Sequence, residues 1–259
     1  YLGDVMLVNG TPDAWLSVDR GLYRLRLLNG SNARIYKVAL SDGRPFHLIG
    51  TDGGLLAAPA AVTSVMLAPG QRLEILVDFS VYATGTSVLL RSLTFPGSGG
   101  MMGGPRQGTE MDLLRFYVDS PATGSATVPA VLQPFTPISP TRARRTRVFT
   151  LAMSGMVHTI NGQLFNMSRT DFTVPFGDVE IWEYRNTSTE PHPMHAHAAL
   201  CQVLSRSSAA ALPPEDGGWK DTVLVNAGET VRVLTRFDTH PGLFVQHCHN
   251  LEHEDSGMM

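Results

Sequence analysis

From Val65 to Phe79 the chain reads Val-Met-Leu-Ala-Pro-Gly-Gln-Arg-Leu-Glu-Ile-Leu-Val-Asp-Phe, with apolar and polar positions alternating after Gly70. Period-two alternation around a Pro-Gly break predicts strand, turn, strand. The same pattern returns without gaps from Val223 to Phe237, where Ala227-Gly228 takes the place of Pro69-Gly70. Val8-Asn9-Gly10 and Ile160-Asn161-Gly162 open the two copies, and Asn29 and Asn186 each close a later strand. Between the copies, Ser120 to Thr141 is rich in Pro, Ala, Ser and Thr and reads as an extended linker. The pattern predicts two related all-β domains, residues 1–118 and 146–259, joined by residues 119–145. Short strands bounded by Gly, Pro, Asn and Asp argue for β-sandwiches, and helix signals are scarce.

Composition narrows the function classes. A chain of 259 residues suits one large or two ordinary domains, and 43% hydrophobic content is enough for real cores. A net charge of −3 shows no bias toward polyanions, and the basic run Arg142, Arg144, Arg145, Arg147 reads as a solvated linker edge. No apolar run approaches the ~18 residues of a membrane-spanning helix. No secretory signal peptide is visible. The two cysteines, Cys201 and Cys248, give no disulfide framework. Cys201 lies in the apolar run Ala198 to Leu204 and reads as a small core residue.

The chemistry is concentrated in two short stretches that hold six of the nine histidines. One is His192-Pro193-Met194-His195-Ala196-His197; the other is His247-Cys248-His249 followed by His253 and Met258. Thiolate, imidazole and thioether together select copper over hard cations, whereas structural zinc sites are closed and thiolate-rich. In a strand, successive side chains point to opposite faces. His247 and His249 therefore face one way and Cys248 the other, so a metal on Cys248 lies back to back with metals on the histidines. His253, Met258 and His192 complete a blue-copper set around Cys248. His195 and His197 share a face and can meet His247 and His249. His47 and His158 stand alone in the sequence, and each reads as a satisfied strand histidine.

At these residues the chain resembles the multicopper oxidases, above all their bacterial laccase and copper-efflux oxidase group. These enzymes oxidise a substrate at one copper and reduce dioxygen at three others. The resemblance extends to Gly3-Asp4, Leu7-Val8-Asn9-Gly10, Arg24 to Gly30, Thr51-Asp52-Gly53-Gly54-Leu55-Leu56, Gly218-Trp219-Lys220-Asp221-Thr222-Val223 and Glu252-His253-Glu254-Asp255, and so covers nearly the whole chain. It implies cupredoxin-like Greek-key sandwiches, copper as cofactor, and a periplasmic or extracellular setting. By the same resemblance His192, Cys248, His253 and Met258 are type 1 ligands, His195 is a type 2 ligand, and His197, His247 and His249 are type 3 ligands. Glu254 matches an acid that passes protons to the oxygen site. Asp221 is a candidate acceptor that orients a ligand imidazole, or else a turn cap. The first copy has no ligand set and is similar to the family's copper-free middle domain.

Two departures shape the expectation. The family's trinuclear cluster takes histidines from two H-x-H motifs in a preceding domain, and no H-x-H stands before His195. The chain also stops at Met258-Met259, where family members continue into one more strand. The expected partners are therefore an H-x-H-bearing cupredoxin domain or companion fragment, a small-molecule reductant and dioxygen. Met101, Met102, Met111, Met153, Met156 and Met167 raise a cuprous reading, but scattered methionines in β-domains are commonly gap-filling core residues. The copper-efflux oxidases have a methionine where Glu190-Pro191 stands, which turns the expectation toward phenolic or other bulky donors. The expected function is one-electron oxidation of a phenolic, aromatic or metal-ion donor coupled to dioxygen reduction. The alternatives are a blue-copper electron-transfer module and a copper-free scaffold.

Overall fold

The computed structural model describes residues 2–97, 105–122, 124 and 126–259. Met101 and Met102 lie outside the described residues. The chain divides into two compact units. Unit 1 comprises Tyr1–Thr51, Leu55–Ala68 and Arg72–Pro134; unit 2 comprises Asp52–Gly54, Pro69–Gln71 and Phe135–Met259.

The strands of the first copy are β1 (Leu7–Val8), β2 (Thr11–Pro12), β3 (Trp15–Asp19), β4 (Leu22–Leu28), β5 (Tyr36–Leu40), β6 (Phe46–Thr51), β7 (Gly54–Val62), β8 (Val65–Leu67), β9 (Arg72–Asp78), β10 (Thr86–Ser92) and β11 (Met111–Ser120). They form a β1-β2 hairpin and two larger sheets, ordered β3-β11-β10-β5-β8 and β4-β9-β6-β7. The alternation predicted after Gly70 is realised in β9, where Leu73, Ile75 and Val77 enter the core. One apolar cluster joins the inner faces of both sheets. At its centre Phe79 meets Phe116 at 4.9 Å and the edge of Tyr23 at 5.4 Å, ring centre to ring centre.

The second copy is built from β12 (Arg145–Ser154), β13 (Val157–Ile160), β14 (Val179–Asn186), β15 (His192–Ala196), β16 (Cys201–Arg206), β17 (Thr222–Val225), β18 (Thr230–Arg236) and β19 (Gln246–Cys248). The short helix α1 (Leu251–Asp255) follows β19. Its sheets run β13-β12-β14-β18-β16 and β17-β15-β19. Phe149 packs against Trp182 at 5.0 Å and Tyr184 at 5.5 Å in a core that also takes in Met194, Cys201, Cys248 and Met258. Both units are cupredoxin-like β-sandwiches.

The repeat read from the sequence survives in backbone detail. Asn9-Gly10 and Asn161-Gly162 all have positive φ, at 51° and 79° in one copy and 54° and 72° in the other, a conformation that the Asn-Gly pair adopts readily in tight hairpin turns. Asn29 Nδ2 donates to the carbonyl of Leu67 at 2.9 Å, and Asn186 Nδ2 donates to the carbonyl of Val225 at 3.2 Å. Leu67 and Val225 are equivalent in the gapless alignment. Each asparagine also accepts, at 2.9 Å, the N–H of a serine two residues on, Ser31 or Ser188. One side chain thus ties a turn to the neighbouring strand in both copies.

Two expectations fail here. Arg147 is not a solvated edge residue: its guanidinium donates to Glu180 Oε1 at 2.9 Å and lies over the ring of Phe172 at 4.5 Å. Met156 and Met167 do not fill the core, being 82% and 87% exposed. They sit outside the strands, in the turn after β12 and the loop after β13, where no opposing sheet covers them.

Candidate metal centre

Strand β15 runs between β17 and β19, and its register sets the site. Met194 pairs with Cys248 and His195 pairs with His247, so the two strands that carry the candidate ligands lie side by side. The helix α1 then turns the chain so that His253 returns to the Cys248 side. Asn250 sits at the start of this helix, and its carbonyl accepts the N–H groups of His253 and Glu254.

On that side three donor atoms converge. Cys248 Sγ is 3.6 Å from Nδ1 of both His192 and His253, and the two Nδ1 atoms are 3.2 Å apart. His192 and Cys248 are fully buried and His253 nearly so. Met258 is also fully buried; its carbonyl accepts from Cys248 N–H at 3.0 Å and its own N–H donates to the His253 carbonyl at 3.0 Å. The far nitrogen of His192 is occupied: Nε2 lies 2.8 Å from Ser188 Oγ, which itself donates to Asn186 Oδ1 at 2.8 Å. With the proton on Nε2, Nδ1 is left free to bind a metal.

On the other face four imidazoles gather. His197 Nε2 and His247 Nε2 are 3.1 Å apart. His195 is 4.8 Å from His197 and 5.4 Å from His247, while His249 is 5.6 Å from His247 and 5.7 Å from His195, ring centre to ring centre. His195 Nδ1 contacts the Asp221 carbonyl at 2.9 Å and Thr222 Oγ1 at 3.1 Å. The acceptor is thus the backbone of Asp221, with its carboxylate farther off at 3.6 Å. His247 Nδ1 contacts the Cys248 carbonyl at 3.1 Å and Glu254 Oε2 at 3.3 Å.

Electrostatics matches ligand duty. Burial, with the neighbouring His253 and His158 adding to it, holds the His192 imidazole down to about 3. Burial likewise lowers His197 and His247. These rings are therefore neutral near pH 7, the form that binds metal. Burial pushes the Cys248 thiol up to about 12, opposed by the backbone N–H of Asn250. A buried thiol between two imidazoles, beside a buried methionine, is a donor set that suits copper, and the four-histidine face suits further copper. Cys201, also buried, has its thiol raised by burial and lies in strand β16.

Unit 1 carries the same frame without the ligands. The pairing Tyr36 to Leu67 in unit 1 corresponds to His192 to Val225 in unit 2. The pairing Ser92 to Val38 corresponds to Cys248 to Met194. Tyr36 thus occupies the His192 position and Ser92 the Cys248 position. Even the supporting serine is kept, with Ser31 Oγ 2.6 Å from Tyr36 Oη where Ser188 Oγ lies 2.8 Å from His192 Nε2.

Several residues around the centre escape the sequence reading. His158, expected to be an isolated strand histidine, stacks on His253 at 3.7 Å with 21° between the rings. Glu190 Oε2 lies 3.2 Å from His253 Nε2 and 3.3 Å from His158 Nε2. Contact with His158 and then His253 holds the Glu190 carboxyl below the usual carboxylate range. Gly70, at φ +78°, lies where an added Cβ would stand 2.5 Å from the His249 ring. The repeated Asn-x-Ser turn was a usable signal for Ser188; nothing in the linear pattern ties His158 to His253.

Two sequence profiles of the multicopper oxidase family match residues 4–100 and 135–259. The chain belongs to the multicopper oxidase family. It is 32% identical to a laccase from Bacillus stratosphericus, with all of this chain matched to 54% of the relative, and 37% identical to the cell division protein FtsP of Dickeya dadantii, with 99% matched to 54%. It is similar to the crystal structure of the McoA multicopper oxidase of Aquifex aeolicus, at 37% identity and a TM-score of 0.88 over all of this chain and 58% of that one. The chain spans about half the length of the curated relatives it matches. Among the described residues no helix is long and apolar enough to cross a membrane.

Proposed function

We propose that this chain carries the electron-accepting site and half of the oxygen-reducing site of a laccase-like oxidase. Cys248, His192, His253 and Met258 would hold a type 1 copper, His195 a type 2 copper, and His197, His247 and His249 type 3 coppers. Bound there, copper supplies a one-electron acceptor close to a cluster able to reduce dioxygen. The single observation that carries this reading is the back-to-back disposition of the two donor groups, joined through the peptide bonds of His247, Cys248 and His249.

The chain's own groups have definable tasks. Ser188 and the Asp221 carbonyl orient the His192 and His195 rings through His192 Nε2 and His195 Nδ1. Burial keeps water from the thiolate, and Glu254, partly exposed at 27% and beside His247, is placed to hand protons from solvent to the histidine face. The remaining histidines would come from an H-x-H-bearing domain or companion fragment. Phenolic or aromatic reductants suit the absence of a methionine at Glu190, and a periplasmic or extracellular setting accords with the family resemblance.

A second reading is an electron-transfer module, since the type 1 donors all lie on this one chain. The likeness to FtsP raises a copper-free scaffold, and retention of every C-terminal donor speaks against it. The test is copper per chain after anaerobic loading and desalting, with the visible spectrum of the same sample. A blue band with more than one copper per chain supports the oxidase reading. A blue band with a single copper supports the module, and no retained copper overturns both.

A further inference from the structure

Two side chains beside the type 1 donors, Glu190 and His158, are assigned no contact with copper in the function proposed above. Glu190 presents one oxygen, Oε2, to His253 Nε2 at 3.2 Å and to His158 Nε2 at 3.3 Å. His158 comes from β13 and stacks face to face on His253 at 3.7 Å, with its edge toward His192 at 5.7 Å. The Nε2 of His158 is sealed from solvent and makes no well-aligned hydrogen bond, and this carboxylate lies 3.3 Å from it. Glu190 is itself 35% exposed and forms the outer rim of the cluster.

The chemistry follows from which nitrogen of His253 does what. His253 Nδ1 faces Cys248 Sγ and His192 Nδ1, so its proton must sit on Nε2 when a metal is bound. That places an N–H directly against the Glu190 carboxylate. A carboxylate on the far N–H of a ligand imidazole fixes the ring and makes the near nitrogen a stronger donor. A stronger donor favours the more highly charged metal state, which lowers the reduction potential. The stacked His158 ring prevents His253 from swinging about its Cβ–Cγ bond.

We infer that Glu190 and His158 are positioning residues of the type 1 site: Glu190 fixes the Nε2–H form of His253 and lowers the potential, and His158 locks the ring in plane. This inference rests on the type 1 reading proposed above. Nothing in the ligand motif requires either residue; both are features of this chain.

The test is made on the whole copper-loaded chain and reads midpoint potential, visible band and electron paramagnetic resonance of the type 1 copper. Glu190→Gln keeps the shape and removes the charge, and its potential should shift upward with the blue band retained. Glu190→Ala should shift it further and broaden the resonance, or release copper while the far-ultraviolet circular dichroism stays unchanged. His158→Phe, which keeps a stacking ring, should leave a single sharp species, whereas His158→Ala should give a heterogeneous one. Potentials and spectra of all four variants that coincide with the unaltered chain would overturn the inference alone. An unaltered chain that shows no blue band would remove the type 1 reading, and this inference with it.

Discussion

Asp52 Oδ2 lies 3.4 Å from Lys220 Nζ, and neither side chain is more than 1% exposed. The same oxygen accepts the backbone N–H groups of Asp221 and Thr222 at 3.3 Å each. Those two residues in turn hold His195 through a carbonyl and a hydroxyl. A buried ion pair therefore underlies the position of a candidate metal ligand.

Asp52→Ala leaves Lys220 charged and buried without its carboxylate, and should cost about 3–5 kcal/mol. Replacing both partners by apolar residues, Asp52→Leu with Lys220→Met, should recover much of that stability. It should not restore copper retention on the histidine face, because the acceptor for the Asp221 and Thr222 N–H groups is still missing. Denaturant midpoints and copper content, measured on both variants, separate the two effects.

Copper loading should release a proton. With its thiol held up to about 12, Cys248 is protonated at pH 7 and must lose that proton to bind metal. Titration of the apo chain with copper in weak buffer should acidify the solution. Cys248→Ser should lose the blue band and most of this proton release; equal release from both proteins would show that the thiol is not the ligand.

Gly70→Ala should damage one metal face and spare the other. The new Cβ would meet His249 at 2.5 Å in a backbone conformation that costs an L-residue about 1–2 kcal/mol. The blue band should persist while copper bound by the histidine face falls. Loss of the blue band first would contradict this assignment of the faces.

The apo chain should weaken as it is acidified. His192 is held down to about 3 when folded, against about 6.5 when unfolded, so the unfolded chain binds the extra proton. The stability from this residue is complete above about pH 6.5 and is lost progressively as pH falls toward about 3. His197 and His247 act in the same direction. The drop in denaturation midpoint between about pH 7.5 and 5 should be smaller in His192→Phe.

The fold and the grouping of the candidate donor side chains were legible because both depend on local periodicity. Alternation predicted β9 and β18, and alternate facing predicted that Cys248 turns away from His247 and His249. The supports were less visible because they are made by contacts distant in sequence. Asp52 reaches Asp221 across 169 positions, and both lie in stretches quoted for the family resemblance, with nothing in either to indicate that they meet. His158 looked ordinary because a stacking partner leaves no spacing signature. Asp221 was considered for its carboxylate, whereas its carbonyl makes the shorter contact, and a carbonyl is present at every residue.

The equivalence of Tyr36 to His192 and of Ser92 to Cys248 in the two registers has an evolutionary consequence. A tyrosine codon becomes a histidine codon by a single base change, and many serine codons become cysteine codons as easily. The two copies are thus separated from a shared metal site by small mutational steps at these positions, with the asparagine turn and its serine already in place. A frame that keeps its Asn-x-Ser turn and strand register without metal ligands does not depend on copper to be assembled. Candidate donors in such a frame can be lost or regained while the sandwich persists, which allows one chain to carry the same architecture with and without a cluster of candidate donors.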